Sequence, residues 1–401
     1  MAADPVSTTE PRILFVAGTR PEAVKLAPLI LDLQARSHRP LLVATGQHRE
    51  MLDEALAGFD LRADRDLGVM APSPDAVVGR LVPALADLIR AERPAVVVVQ
   101  GDTSSTFAGA LAARYVGVRV AHVEAGLRTG THDPHPEEMH RKLVAQMADL
   151  HFAPTAAAAA ALRAEGIAAG IHVTGNSGID ALLRMQARLA ADPALAAAAG
   201  APLAGIATNR PWLLATVHRR ENQGQRLSAV LAALAELAAD AQVIVPVHPS
   251  PAIAGPVRAV LGARPNVHLL PPLSYASFVA LMGRAALVLT DSGGVQEEAP
   301  AIGLPCLVLR DVTERPEGVA TGNAVLVGCE TAAIVSAARA VLNDAALRLR
   351  MRRPALPYGS GGAAGLINDV LLRQAVPASV QTTESWSRSD GHRQSSPASA
   401  S

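Results

Sequence analysis

Apolar residues fall along the chain in short runs of β-branched and leucine side chains, separated by longer stretches in which Ala and Leu recur with helical spacing. Residues 12–17, 40–44, 95–100 and 118–123 read as strands of a buried parallel sheet, because they are short, largely apolar and β-branched-rich runs. Residues 22–35 and 103–115 read as the helices between them. Thr155 is placed to cap an Ala-rich helix that follows the strand segment 151–153. The alternation restarts with 212–217, 242–247, 267–270, 287–290 and 306–309. Two successive β/α series predict an α/β protein with two Rossmann-like, doubly wound domains facing a cleft. The expected boundaries are 1–176 for the first domain and 177–357 for the second. A helix at 358–375 is expected to cross back to the first domain. Residues 376–401, rich in Ser, Thr, Arg and Gln with no apolar period, read as a disordered tail.

Composition narrows the classes. A chain of 401 residues is long enough for two domains that each bury a core. No apolar run reaches the roughly 18 residues of a membrane span. Residues 1–11 lack the basic-then-apolar order of a signal peptide, so a cytoplasmic protein without a membrane partner is expected. Lys plus Arg balance Asp plus Glu at 36 each, which offers no electrostatic footprint for nucleic acid. Any bound anion must be met by a local site. The two cysteines, Cys306 and Cys329, have no metal-ligand spacing and read as small buried apolar residues. With two Trp, three Tyr and five Phe, the core must be built from Ala, Leu and Val.

In open α/β sheets, ligands sit at the carboxyl ends of the strands. The polar clusters here stand at such ends. The first strand runs into Gly18-Thr19-Arg20-Pro21-Glu22, where Arg20 and Lys25 flank a helix N-terminus, a natural anion site. Gly101-Asp102-Thr103 ends the 95–100 strand, and Glu124-Ala125-Gly126 ends the 118–123 strand. Pro136-Glu137-Glu138 opens a helix with Arg141 one turn on. Three acidic groups on successive loops should face one crevice, although each alone could serve a cap or a helix dipole. In the second series, His218-Arg219-Arg220-Glu221 and His248-Pro249 follow strands. Ser292-Gly293-Gly294 opens a helix whose amides can cradle a phosphate, with Glu298 on that helix able to accept two ribose hydroxyls. Arg315 adds a loop cation. No metal-ligand constellation, Walker-type loop or Gly-x-Gly-x-x-Gly spacing occurs, so neither a metal nor a nicotinamide cofactor is expected. Acids on one side and a diphosphate cradle on the other suit a nucleoside-diphosphate sugar lying across the cleft.

From about residue 12 to 372 the chain resembles the bacterial non-hydrolysing UDP-N-acetylglucosamine 2-epimerases. The resemblance rests on an ordered series: Gly18-Thr19-Arg20-Pro21-Glu22-Ala23-Val24-Lys25, Gly46-Gln47-His48-Arg49-Glu50-Met51-Leu52, Gly101-Asp102-Thr103, His122-Val123-Glu124-Ala125-Gly126-Leu127-Arg128-Thr129, Pro136-Glu137-Glu138, His218-Arg219-Arg220-Glu221, Thr290-Asp291-Ser292-Gly293-Gly294-Val295-Gln296-Glu297-Glu298 and Thr313-Glu314-Arg315-Pro316-Glu317. It implies a fold like that of GT-B glycosyltransferases and a homodimer. It implies Asp102, Glu124 and Glu137 as catalytic acids with His218 at the active site. It implies Arg20, Lys25, Arg141, His248, Ser292, Gly293, Gly294, Glu298 and Arg315 as UDP-sugar contacts, with Phe278 at the uracil pocket and Leu273 beside it. Gln47, Glu50 and Arg219, together with His248, would form an activator site for a second UDP-N-acetylglucosamine. Gln100, His140 and Leu273 depart from residues common in the family, as does the segment 71–80.

The implied reaction inverts C2 between UDP-N-acetylglucosamine and UDP-N-acetylmannosamine. The C2 hydrogen is not beside a carbonyl, so loss of UDP from C1 to give a 2-acetamidoglucal, followed by readdition, is the expected route. Other readings compete with this one: the same chemistry on a modified UDP-sugar, a GT-B glycosyltransferase, a hydrolysing 2-epimerase, or a non-catalytic nucleotide-sugar binder.

Overall fold

A computed structural model describes residues 12–46, 49–71 and 73–375. The tail expected at 376–401, and Gln47 of the expected activator site, lie outside the described residues.

Among the described residues there are two parallel sheets. The first has seven strands: β1 (Ile13–Ala17), β2 (Leu41–Ala44), β3 (Arg65–Asp66), β4 (Val96–Gln100), β5 (Arg119–Val123), β6 (Leu150–Ala153) and β7 (Ile171–Val173). Their spatial order is β3-β2-β1-β4-β5-β6-β7. The second has six: β8 (Trp212–Thr216), β9 (Gln242–Pro246), β10 (Val267–Leu270), β11 (Leu287–Thr290), β12 (Cys306–Val308) and β13 (Ala324–Leu326), ordered β10-β9-β8-β11-β12-β13. Both sheets are doubly wound. In each, the chain order reverses beside the first strand, between β1 and β4 and between β8 and β11. A crevice must open at these switch points, because connections on either side leave toward opposite faces. β1, β4, β8 and β11 are almost wholly buried, as parallel strands covered on both faces require.

The local chemistry of the helices is legible. Thr19 and Glu22 form a capping box at the start of helix Arg20–Ala35, with Pro21 in the first turn. Thr103 accepts the Thr106 amide to cap helix Ser104–Val116, and Thr155 accepts the Ala158 amide to cap helix Ala156–Ala164. The stretch after β7 forms helices Ser177–Ala191 and Pro193–Gly200. Helix Ser177–Ala191 packs against helix Arg20–Ala35 on one side and helices Tyr275–Arg284 and Gly293–Ala301 on the other. Through its Ala181, Leu182 and Met185, one apolar core runs continuously from beneath the first sheet to beneath the second. Helix Ala363–Ala375 lies against helix Arg20–Ala35, where Asn368 donates to the Leu29 carbonyl at 2.9 Å and to Asp32 at 2.8 Å.

Candidate active site

The four loops that leave β1, β4, β8 and β11 at the switch points carry Arg20, Asp102, His218, Arg219 and Ser292 to Gly294 of the residues singled out above. An open cleft lies between the loops after β1, β8 and β11. Its walls include Arg20, Lys25, His218, His248, Leu273, Phe278, Ser292, Gly294 and Glu298.

The loop after β1 is held by Glu22. Its carboxylate accepts the Gly18 and Thr19 amides at 2.9 and 2.7 Å, the Thr19 hydroxyl at 2.8 Å, and the Thr103 and Thr106 hydroxyls at 2.7 and 2.9 Å. Burial pushes this carboxyl upward against those donors. Gly18 admits no side chain, since a Cβ would meet the Ser105 hydroxyl at 2.0 Å. Arg20 thereby enters the cleft, where one guanidinium nitrogen donates to the Leu273 carbonyl at 3.0 Å. Leu273 thus contributes its backbone, and the identity of its side chain is secondary there.

Glu124, immediately after β5, sits in the left-handed region at φ 66°. Such a conformation in a non-glycine residue costs about 1–3 kcal/mol and is typical of functional sites. It points the carboxylate at Lys25, which is ion-paired to it, and at Gln100, whose amide donates at 2.8 Å. Arg315 reaches it from the second sheet at 3.2 Å. Arg315 is also 2.6 Å from Glu297, and Glu297 is 2.9 Å from Lys25. The four side chains close a ring of alternating charges, Lys25–Glu124–Arg315–Glu297, buried where the two sheets meet. Burial raises the Glu124 carboxyl above its usual range, opposed by Lys25 and Arg315. For Glu297 burial acts the same way, but Arg315 and Lys25 together outweigh it and the net displacement is downward. Arg315 does not face the cleft. It lies directly beneath the glycine turn after β11, so that a Cβ on Gly293 would fall 2.5 Å from its guanidinium.

Asp102 is held by Arg141 at 2.7 Å, and Arg141 in turn by Glu138 at 2.7 Å. Arg141 is buried and saturated by carboxylates, with Glu314 at 3.6 Å, so it orients Asp102 instead of presenting a free cation. His140 donates from Nδ1 to the Asp102 carbonyl at 2.8 Å and stacks on Phe107. Of the adjacent acids, Glu138 is the buried structural partner, also facing the Thr129 amide at 3.3 Å. Glu137 is half-buried and makes no hydrogen bond or ion pair among the described residues.

On the second sheet, His218 lies with Nδ1 3.2 Å from Asp291 and its ring stacked on His248 at 5.9 Å between centroids. Burial lowers its pKa, Asp291 opposes that, and Arg219 and Arg20 reinforce it. Glu298 accepts the Tyr275 hydroxyl at 2.8 Å, and burial pushes its carboxyl up to about 7. Arg219 is drawn toward Glu314 at 3.2 Å, and Glu50 is exposed on helix Arg49–Ala57. Sequence reasoning assigned no role to Glu297, Glu314, Asp291 or Tyr275, and read Gln100 only as a departure from the family. All but Gln100 and Tyr275 fall inside the quoted motifs, but Asp291, Glu297 and, through Arg141 and Arg219, Glu314 have partners distant in the chain.

The family model described as UDP-N-acetylglucosamine 2-epimerase matches residues 32–372. The UDP-N-acetylglucosamine 2-epimerase of Escherichia coli K12 is 41% identical over 376 residues, 91% of this chain and 99% of the relative. A crystal structure of UDP-GlcNAc 2-epimerase from Neisseria meningitidis, bound to UDP-GlcNAc, superposes with a TM-score of 0.87 at 39% identity, covering 90% of this chain and all of that one. The glycosyltransferase SnogD of Streptomyces nogalater shares the two-domain fold at a TM-score of 0.55 and 18% identity, covering 91% of this chain and all of that one.

Proposed function

The chain belongs to the non-hydrolysing UDP-N-acetylglucosamine 2-epimerase family, and on that premise we propose how its cleft inverts C2 of the sugar. The enzyme is an isomerase of UDP-N-acetylglucosamine with a two-domain, GT-B-like fold. In the proposed route a carboxylate takes the C2 proton, the C2–H electron pair forms the C1–C2 double bond, and the C1–O bond breaks with its electrons leaving on UDP. The same steps run backward with the proton delivered to the opposite face, giving UDP-N-acetylmannosamine.

The observation that supports this best is the position of Glu124. It brings an acid/base group of the first sheet against Arg315, whose charge lies under the glycine turn of the second. A departing diphosphate over Ser292, Gly293 and Gly294 would therefore be stabilised from below by Arg315 and from the sides by Arg20, Lys25 and His218. Asp102, aligned by Arg141, and Glu137, without a hydrogen bond or ion pair among the described residues, supply the other acid/base groups, a kind of help worth roughly 10²–10⁴-fold. In this reading Glu298 takes the ribose hydroxyls and His248, Leu273 and Phe278 take the nucleotide, all four being residues of the cleft wall. The chain uses no metal or nicotinamide in this scheme.

Incubation with UDP-N-acetylglucosamine in deuterium oxide tests the route. Both epimers should appear carrying deuterium at C2, with only traces of free UDP and glucal. Epimer without deuterium would defeat the mechanism, and equal amounts of UDP and free sugar would make the enzyme hydrolytic. A C2 hydrogen left in place would fit a glycosyltransferase or a binder.

A cytoplasmic homodimer is part of the same proposal. Exposed Tyr115 on helix Ser104–Val116, with Met139 and Leu143 on helix Glu137–Met147, supports an apolar contact face. Light scattering at a monomer's mass would exclude the dimer. The activator role would need Glu50, Arg219 and His248 to hold a second substrate molecule. Progress curves begun from UDP-N-acetylmannosamine should then show a lag that traces of the gluco epimer remove.

A further inference from the structure

We propose that Asp291 is a positioning residue that fixes which nitrogen of His218 carries the proton: Nδ1–H toward Asp291, and Nε2 toward the cleft. This deepens the reading of the cleft as the UDP-sugar site and rests on it.

Asp291 directly follows β11 and is wholly buried. Its partners come from the loop after β8. Oδ2 accepts the His218 amide at 3.0 Å, the Arg219 amide at 2.9 Å and the Asn222 side-chain amide at 3.0 Å. Oδ1 faces the His218 amide and His218 Nδ1, each at 3.2 Å. No arginine or lysine is ion-paired to it among the described residues. The contact is an ion-pair distance and not an aligned hydrogen bond, and because a carboxylate only accepts, its charge favours the hydrogen on the ring nitrogen beside it. The opposite nitrogen then turns to the cleft that His218 lines.

The other groups facing the ring are Arg219, Arg20 and His248. The two arginines and the burial of the ring favour its neutral form, and Asp291 alone opposes them. A nucleoside diphosphate entering the cleft adds negative charge beside Nε2 and draws a proton from solvent onto it. The resulting imidazolium lies between the diphosphate and Asp291, and donates from Nε2 to the oxygen that gains charge as the C1–O bond breaks. Asparagine at 291 keeps an oxygen for the backbone amides but turns an N–H toward Nδ1. That forces the Nε2–H tautomer and removes the counter-charge.

Long-range proton–nitrogen correlation on histidine-labelled full-length enzyme reads the tautomer directly, with His218 identified by its loss in His218→Gln. The free wild type should show Nδ1–H, and saturating UDP should convert the ring to imidazolium. Asp291→Asn should show Nε2–H and lose about 100-fold or more in kcat, in line with a reversed catalytic histidine. Its KM should move far less. Asn222→Ser removes one donor to the same carboxylate while keeping its charge, and should retain both the tautomer and most of kcat. An Nε2–H ring in the wild type would overturn the proposal even if the variants failed to fold. So would an Asp291→Asn enzyme with unchanged tautomer and rate. If the wild-type ring is Nδ1–H but UDP leaves its signals unmoved, the cleft is not the UDP site and the tautomer assignment stands.

Discussion

Lys25 and Glu297 lie 272 positions apart in the chain, yet their charged atoms are 2.9 Å apart, joining the leading helix of the first sheet to the glycine-turn helix of the second. The pair is one side of the four-membered ring that also holds Glu124 and Arg315. Removing one member of a buried ion pair leaves its partner's charge uncompensated, at a cost of about 3–5 kcal/mol. Glu297→Leu and Lys25→Met should each lower the urea midpoint accordingly. The double variant should lose clearly less than the two single losses together, because each single change strands what the other removes. Strict additivity would show that the two side chains do not stabilise one another.

The three acids should separate by what else they hold. Replacing Asp102, Glu124 or Glu137 by its amide is expected to lower kcat by about 10²-fold or more. Glu137→Gln should leave thermal stability unchanged, since Glu137 has no partner to strand among the described residues. Glu124→Gln should also lower the melting temperature, because Lys25 and Arg315 lose a counter-charge. UDP affinity of the Asp102 and Glu137 variants, measured by calorimetry, should stay close to wild type. Near-wild-type turnover in all three would withdraw the acid/base assignment.

Glu298 gives the cleft a pH dependence of predictable sign. Its carboxyl is raised to about 7, chiefly by burial, and ribose hydroxyls donate best to the ionised form. UDP binding should therefore release a proton below pH 7, and affinity should rise as pH increases toward 7, by up to about tenfold per unit. For the free enzyme the sign is opposite. A raised folded-state pKa gives stability that is complete below about 4.5 and is lost as pH rises through 7. Calorimetry in buffers of different ionisation heat would read the proton release, which Glu298→Gln should abolish.

Gly126 is held at φ 90°, and a Cβ there would lie 2.2 Å from the Ala158 carbonyl oxygen. Gly126→Ala combines left-handed strain of about 1 kcal/mol or more with a backbone overlap that no rotamer relieves. The variant should unfold at a much lower denaturant concentration and lose turnover, since Glu124 lies two residues before it. A midpoint within error of wild type would show that the turn can relax.

The sequence disclosed most where local signals are strong. Buried strands such as Ile13–Ala17 and Val96–Gln100 are long apolar runs, and Thr155 marks a helix start by its own chemistry, whereas the cap after β4 is Thr103 and not the neighbouring Asp102. The strands Arg65–Asp66, Ile171–Val173 and Ala324–Leu326 carry two or three residues each, too few for any period to register. The site was legible as far as strand ends and motifs go. What could not be read was pairing: Glu297 with Lys25, Asp291 with His218, and Glu314 with Arg141 and Arg219 depend on distances that only the folded chain sets. For the same reason the ion pairs of Arg141 with Asp102 and Glu138 were not legible in the sequence, which read Arg141 only as a substrate contact.

Glu22 touches neither the proposed diphosphate site nor any acid, yet both loops of the first sheet hang from its carboxylate. The cation at Arg20 and the acid at Asp102 are therefore registered to one anchor. A thermal displacement of one loop is shared by the other, so their separation behaves as a fixed gauge while both float together against the second sheet. Shortening the anchor by one methylene, as in Glu22→Asp, would shift the gauge itself, a calibration error that no rearrangement at the cleft surface could restore.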